Sequence, residues 1–287
     1  MSATSNLEYK SVAANGFTFR YREAGPPDGE VVLLLHGFPQ SSFEWRSQQA
    51  ALAQQGFRTI APDQRGYSPG ARPEAVEAYD RDTLEADMVA VADALGISQF
   101  HVVGHDWGAV VAWHLAANHP DRVRTATIIS VPHPMAFASA IAADTEQQGK
   151  SGYIAVFRQE GHVAESLLLG EDGKGERMRE MYAAWNWSPE AIDEYMSLLT
   201  EPGALTGALN WYRAIRFEDA NLVDVTVPTT YIWSTDDMAL GRAGAEATAA
   251  FCKGPYKFVV LDGVSHWVPE DEPERVTDEI LERIRSV

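Results

Sequence analysis

The sequence predicts an α/β fold with a mostly parallel sheet flanked by helices and interrupted by a helical insertion. Three observations support this prediction. Short apolar runs alternate with helical patterns over residues 1–134, which is typical of βαβ units. From 135 to 220 the alternation lapses and only helical stretches remain. It resumes over 221–287, so we expect a core in two parts with the helical segment 135–220 inserted between them.

The first elements are predicted as a hairpin followed by buried strands and helices. Asn15-Gly16 separates two segments with alternating aromatic residues within 9–22, which is a strong hairpin signal. The later strands are short and continuously apolar, as expected for strands that are buried on both faces. The predicted elements are the strand Val31–Leu35, a helix over 43–55, a strand over 57–63, a helix over 83–95, a strand over 100–104, a helix over 107–118 and a strand over 125–131.

The second half of the chain is predicted as the helical insertion and the return of the alternating pattern. The insertion is rich in Trp, Tyr and Met, and a segment rich in glycine and charge interrupts it at Gly170–Arg177. Regular alternation after the insertion indicates that the sheet continues there. The predicted elements are a strand over 227–234, a helix near 242–252, a strand over 257–262 and a final helix from about 273.

Composition excludes several classes of function. The 287 residues carry a formal charge of −18, with 41 acidic and 23 basic residues, which is unsuited to a nucleic-acid partner. We find no secretory signal in the first thirty residues and no apolar run approaching the roughly 18–20 residues of a membrane span. The single cysteine, Cys252, excludes an internal disulfide and fits a reducing compartment. We therefore expect a soluble, cytoplasmic protein.

A short motif at the end of a predicted strand carries the first chemical signal. Gly104-His105-Asp106-Trp107-Gly108 has the spacing of the G-x-S-x-G nucleophile elbow, with an aspartate where the serine would stand. Glycines there permit a tight turn, and the N-terminus of the following helix stabilises negative charge. His105 is expected to support the elbow. Helix capping is the ordinary alternative for Asp106, because aspartate is a common N-cap residue.

Two later loops supply an acid and a base in the order that an elbow nucleophile requires. Asp236-Asp237 follows the strand 227–234, and His266 follows the strand 257–262. Catalytic groups gather at such carboxyl ends of strands in open α/β sheets. We assign His266 as the base, Asp237 as its acid and Asp236 as a turn residue. The alternative assignment of the acid to Asp236 stays open.

The loop after the first buried strand predicts an oxyanion hole. His36-Gly37-Phe38-Pro39 could by itself be an ordinary turn. In folds with a nucleophile elbow, however, an amide from this loop pairs with the amide of the residue after the nucleophile. The predicted donors are therefore the backbone N–H groups of Phe38 and Trp107.

Five segments together resemble one known family, the soluble epoxide hydrolases of the α/β-hydrolase fold. The resemblance extends over nearly the whole chain from about residue 8. The segments are HGFPQSSFEWR (36–46), DQRGYSPG (63–70), GHDWGA (104–109), LNWYR (209–213) and GVSHW (263–267).

The resemblance implies a helical cap over 135–220 that supplies two tyrosines to hold the epoxide oxygen. Tyr212 in NWYR matches one of them, and Tyr153 in GYIAVFRQEG matches the other. It also implies catalysis without a metal or cofactor. Ordinary packing is the alternative role for any such tyrosine, and we assign that role to Tyr182 and Tyr195. The aromatic side chains expected to contact the substrate are those of Phe38, Trp107, Trp211 and Trp267.

A carboxylate nucleophile suits attack on a saturated carbon. Attack on an acyl carbon would give a reactive anhydride, whereas attack on a carbon that bears a leaving group gives a stable alkyl ester. Water activated by His266 can then hydrolyse that ester on Asp106. We therefore expect an enzyme that converts an apolar epoxide and water to a vicinal diol.

Two alternatives use the same fold. A haloalkane or haloacid dehalogenase would use Asp106 in the same way, but a halide needs no proton donor. Phe38 offers no polar side chain to a halide, whereas Tyr212 offers an acid, so epoxide hydrolysis is favoured. The other alternative is a non-catalytic protein that binds a ligand in this fold, although no catalytic group is missing. The identity of the epoxide, the selectivity and the oligomeric state are not predicted.

Overall fold

A computed structural model describes residues 7–214, 216–217 and 220–287 and contains one eight-stranded sheet with the strand order β1-β2-β4-β3-β5-β6-β7-β8. Residues 1–6, 215 and 218–219 of the predicted core and insertion ranges lie outside the described residues. The strands are β1 (Tyr9–Ala14), β2 (Phe17–Ala24), β3 (Val31–Leu35), β4 (Arg58–Pro62), β5 (Phe100–His105), β6 (Val123–Ile129), β7 (Thr229–Ser234) and β8 (Tyr256–Leu261).

The strand directions follow from the connections between them. β1 and β2 form the predicted hairpin around Asn15-Gly16, where both residues have positive φ (46° and 79°) as a tight turn of this kind requires. β2 also pairs antiparallel with β4. From β4 to β8 the neighbours are all parallel, because a helical crossover joins successive strands. The predicted fold class, a mostly parallel sheet flanked by helices, is confirmed.

Helices cover both faces of the sheet. Val32 and Leu34 of β3 point to one face and pack with apolar residues of α1 and α13, whereas Leu33 and Leu35 point to the face covered by α2 and α3. This alternation is the period of two that a strand imposes on its side chains. The helices outside the insertion are α1 (Arg46–Gln54), α2 (Arg81–Ala94), α3 (Trp107–Asn118), α11 (Arg242–Ala247), α12 (Val268–Asp271) and α13 (Pro273–Ile284).

Seven helices lie between β6 and β7 in the described residues, which bears out the helical character predicted for that segment. The predicted interruption at Gly170–Arg177 falls mainly between α7 and α8. Within the described part of the chain, no helix is both long and apolar enough to cross a membrane. These helices are α4 (Pro134–Ala143), α5 (Thr145–Lys150), α6 (Gly152–Phe157), α7 (Val163–Leu169), α8 (Glu176–Ala184), α9 (Pro189–Leu199) and α10 (Ala204–Ala214).

The last of these helices, α10, packs directly on the loop that follows β4. A Cβ on Gly207 would lie 2.7 Å from the Cα of Gly66, so the two backbones approach closely only because both residues are glycine. Trp211, one turn further along α10, donates its indole N–H to the carbonyl of Arg65 at 2.9 Å. These contacts hold Tyr212 over the carboxyl edge of the sheet.

Some predicted boundaries are wrong. The strand predicted over 125–131 runs from Val123 to Ile129, because Ser130 has a φ of 69° and leaves the extended region. The helix predicted near 242–252 ends at Ala247 and continues as a 3₁₀ turn, Thr248–Phe251. The short helix α12 was not predicted.

Candidate active site

The polar loops predicted to act together meet at one edge of the sheet. β3, β5, β7 and β8 run parallel, so their carboxyl ends lie on the same side. Phe38 follows β3, Asp106 follows β5, Asp237 follows β7 and His266 follows β8. All four residues are buried.

Asp106 occupies a strained turn between β5 and α3. Its φ and ψ are 49° and −119°, a backbone conformation that costs energy for any residue other than glycine. The turn needs its glycines, because a Cβ on Gly104 would lie 2.3 Å from the carbonyl oxygen of Gly108, and one on Gly108 would lie 2.0 Å from that of Leu35. Asp106 stands at the N-cap position but makes no side-chain capping bond, which leaves its carboxylate available for other partners.

The Asp106 carboxylate has one partner on each oxygen. Its Oδ1 accepts a hydrogen bond from the Phe38 amide at 2.8 Å, and its Oδ2 lies 3.5 Å from Nε2 of His266. Burial alone would raise the pKa of the Asp106 carboxyl, but the hydrogen bond and charge of His266 outweigh it and hold this pKa below its usual value. The carboxylate is therefore ionised at neutral pH.

His266 is held between Asp106 and Asp237. Its Nδ1 lies 2.8 Å from Oδ2 of Asp237, whose Oδ1 accepts from the amides of Ala239 and Leu240 at 2.7 and 2.9 Å. Burial alone would lower the pKa of His266, but the charge of Asp237 and the hydrogen bonds to both carboxylates raise it to about 10. The neighbouring Asp236 is exposed, and its carboxylate accepts a hydrogen bond from the Thr235 hydroxyl at 3.4 Å.

The two tyrosines predicted to bind the epoxide oxygen lie side by side. Tyr153 on α6 and Tyr212 on α10 have ring centroids 6.0 Å apart, and both line the cavity that contains Asp106. Burial raises the pKa of both phenols above the usual value, so both remain neutral donors.

The cavity is small and mostly apolar. Its volume is about 20 Å³, which is room for about a single water molecule. A larger molecule therefore needs the side chains or helices around the cavity to move. Its lining residues are Asp106, Trp107, Val110, Val131, Phe137, Tyr153, Ile154, Tyr212, Phe217 and Leu240.

Of the four aromatic residues predicted to contact substrate, Trp107 lines this cavity. The rings of Phe38 and Tyr212 pack edge to face with centroids 5.5 Å apart, and Trp211 is fully buried. Trp267 packs against His266 and against Trp185, with a centroid distance of 4.5 Å to the latter. In the described residues these three side chains are part of the packing around the cavity and not part of its lining.

Sequence reasoning missed a buried acid behind the site. Oε1 of Glu44 lies 2.5 Å from Nδ1 of His105, and its Oε2 accepts from the Gly37 amide at 3.2 Å. Nε2 of His105 lies 2.9 Å from the carbonyl of His266 and must carry a hydrogen, because a carbonyl only accepts. The signal available in the sequence was a carboxylate flanked by Phe43 and Trp45 in an aromatic segment.

Comparisons with known proteins identify the family of the chain. A model of the α/β hydrolase fold family matches residues 30–273. Epoxide hydrolase A of Mycobacterium tuberculosis is 35% identical, with 94% of this chain and 95% of that protein covered. A Bacillus subtilis protein named as a member of the AB hydrolase superfamily is also 35% identical, with 96% and 97% covered.

A solved structure shows the same likeness over the full length. It belongs to a set of novel epoxide hydrolases from metagenomes of hot environments and is 33% identical, with a TM-score of 0.86 and coverage of 97% of this chain and 99% of that one. Proteins named epoxide hydrolases are therefore more than 30% identical to this chain over nearly the full length of both. The chain therefore belongs to the α/β-hydrolase family and, within it, to the epoxide hydrolases.

Proposed function

We propose that the protein hydrolyses an epoxide to a vicinal diol through a covalent ester on Asp106. One observation carries the proposal: the buried Asp106, paired with His266, shares a cavity with the phenols of Tyr153 and Tyr212. Relatives of nearly the same length that are named epoxide hydrolases support it. The apolar side chains of the lining favour an epoxide with apolar substituents.

The first step forms the ester. The Asp106 carboxylate, kept ionised by its lowered pKa, attacks a carbon of the epoxide ring as the C–O bond breaks. Negative charge then develops on the departing oxygen, which Tyr153 and Tyr212 hydrogen-bond and protonate. Because burial raises the pKa of both phenols, each holds its proton until the alkoxide forms.

The loss of charge on Asp106 prepares the second step. In the free enzyme His266 faces two carboxylates and its pKa is about 10, so it is protonated at neutral pH. Once Asp106 is an uncharged ester, that support for the imidazolium is removed and the pKa of His266 falls. His266 then releases a proton, which re-protonates the tyrosine that protonated the alkoxide.

Neutral His266 then acts as the base of hydrolysis. It takes a proton from water, and the hydroxide attacks the ester carbonyl of Asp106. The amides of Phe38 and Trp107 stabilise the oxyanion that forms; the Phe38 amide already donates to Asp106 Oδ1. When the tetrahedral intermediate breaks down, the diol oxygen leaves as an alkoxide. It takes the proton of the new Asp106 carboxylic acid, which leaves Asp106 ionised. Asp237 keeps the ring of His266 oriented throughout.

A single-turnover experiment in ¹⁸O-water tests this proposal. With enzyme in excess over styrene oxide, the diol of the first turnover should be unlabelled, because its new oxygen comes from Asp106. Complete labelling in that turnover would contradict an ester intermediate. The Asp106→Asn variant should form no diol in the first turnover. Asp236→Asn, at an exposed residue next to Asp237, is the matched control and should form diol as the wild type does. Halide release from bromoalkanes without any diol from epoxides would instead support a dehalogenase.

A further inference from the structure

A buried glutamine of the helical insertion binds the loop that carries Asp237. Gln147 lies on α5 and is completely buried. Its Nε2 donates to the carbonyl of Ala239 at 2.8 Å, and its Oε1 accepts from the amide of Gly241 at 2.8 Å. The side-chain amide thus pairs with two backbone groups of one loop, as a neighbouring strand would.

The loop held by Gln147 is the one that fixes the Asp237 carboxylate. Oδ1 of Asp237 accepts from the amides of Ala239 and Leu240, which leaves Oδ2 directed at His266. Lys150, one turn after Gln147, donates to the backbone carbonyl of Asp237. The segment 237–241 therefore has hydrogen bonds to α5 at its beginning, its middle and its end.

The same glutamine connects this loop to the helix that carries Tyr153. Its Nε2 also donates to Oγ of Ser151 at 2.9 Å, and α6 begins at the next residue, Gly152. The hydrogen bonds of the Gln147 amide are thus divided between the acid loop (residues 237–241) and the start of α6.

We propose that Gln147 is a positioning residue for Asp237 in the reaction set out above, on which this inference rests. Its hydrogen bonds to the Ala239 carbonyl and the Gly241 amide hold the loop of Asp237, so it acts through Asp237. The acid loop needs a support that keeps Asp237 aligned with His266, because His266 acts as a base only with its ring held in one orientation. Gln147 provides this support from within the insertion.

The proposal predicts that the two half-reactions respond differently to loss of the side chain. Hydrolysis of the ester needs His266 as a base with its ring oriented by Asp237, whereas attack by Asp106 needs no base. A displacement of about 1 Å can cost on the order of 10²-fold in rate. Gln147→Met removes the amide at nearly constant size and helix propensity, and should slow ester hydrolysis about 10-fold to 100-fold while epoxide consumption changes less than about 3-fold.

Single-turnover mixing of excess enzyme with styrene oxide measures both rates, as loss of epoxide and as appearance of diol. Gln148→Met is the matched control, because Gln148 is the next residue of α5 and is exposed. Gln147→Glu is the second variant: it keeps the acceptor for the Gly241 amide but cannot donate to Ala239. It should also slow diol formation selectively, and it decides the question if Gln147→Met does not give a native circular dichroism spectrum.

Selective slowing of diol formation in either folded variant, with Gln148→Met unchanged, supports the proposal. Unchanged rates in Gln147→Met, or an equal fall in both half-reactions, would overturn it. No diol from the wild-type protein would overturn the proposed function itself. The two failures are therefore distinguishable.

Discussion

Nε2 of His266 lies 3.5 Å from Oδ2 of Asp106, and both side chains are buried at the carboxyl edge of the sheet. Asp237 lies on the other side of the ring, 2.8 Å from Nδ1. His266 is therefore the one positive group between two negative ones when it is protonated. Because burial strengthens such interactions, the charge of each member depends on the charge of the others.

The first prediction concerns the titration of His266. Removal of the Asp106 charge by Asp106→Asn should lower the pKa of His266 from its raised value of about 10, since Asp237 is then the remaining carboxylate beside the ring. NMR of ¹⁵N-labelled histidine across the pH range measures this shift. The other groups facing the ring are His105, at a centroid distance of 5.0 Å, and Trp267, and neither is altered. A pKa that does not move would contradict the coupling of His266 to Asp106.

The same pKa predicts how stability depends on pH. The folded-state pKa of His266 is raised from 6.5 to about 10, so its protonated form stabilises the folded protein. That contribution is complete below pH 6.5 and is lost as the pH rises to about 10. The free energy of unfolding, measured with urea, should therefore fall between these values in the wild type. The fall should be shallower in Asp106→Asn.

A further prediction separates the two adjacent acids. Asp237→Asn should reduce kcat by about 10⁴-fold, as in other catalytic triads, because the amide does not hold the reactive tautomer of His266. Asp236→Asn should leave kcat unchanged, since Asp236 is exposed. Steady-state diol formation by both variants measures the difference. Equal losses would mean that the loop, and not the contact between Asp237 and His266, sets the rate.

Local signals in the sequence predict much of the fold and several of the residues that meet at the candidate site. The hairpin depends on Asn15-Gly16, whose turn geometry is a property of those two residues. Asp106 was found because glycines flank it at fixed spacing, and such spacing reflects the backbone contacts of the turn itself. His266 was found because it follows a predicted strand.

Contacts between distant segments could not be predicted in the same way. Glu44 meets His105, and Gln147 meets Ala239, across 61 and 92 positions of the chain, and neither pair shares a local pattern. The size of the cavity also depends on how α6 and α10 pack over the sheet. Trp211 is predicted to contact the substrate as an aromatic residue of the insertion, but its indole N–H donates to the distant Arg65 carbonyl.

Another prediction tests the two phenols. Tyr153→Phe and Tyr212→Phe should each slow epoxide consumption, and the double variant should lose about 10²–10⁴-fold, the usual contribution of general acid catalysis. Each single variant should lose less than the double variant, because the remaining phenol still donates to the alkoxide. Single-turnover loss of epoxide measures this step directly.

Tyr182→Phe is the matched control for the phenols. Tyr182 is also fully buried, but its hydroxyl has no hydrogen-bond partner in the described residues, so its removal should leave the rate unchanged. If the double variant consumed epoxide as fast as Tyr182→Phe, a proton donor would not be required. The preference for an epoxide over a halide would then lose its basis.

The last prediction concerns the buried pair of Glu44 and His105. Glu44→Ala removes the carboxylate beside Nδ1 of His105 and the acceptor of the Gly37 amide, and should lower the free energy of unfolding by about 1–3 kcal/mol, the usual cost of leaving buried polar groups unsatisfied. Glu44→Gln should cost less, about 1 kcal/mol, because its amide can donate to Nδ1 of a neutral His105 and accept from the Gly37 amide. Urea unfolding measures both, with the exposed Glu77→Gln as a control that should change stability by less than about 0.5 kcal/mol. Equal losses in Glu44→Ala and Glu44→Gln would show that a side-chain amide cannot replace the Glu44 carboxylate.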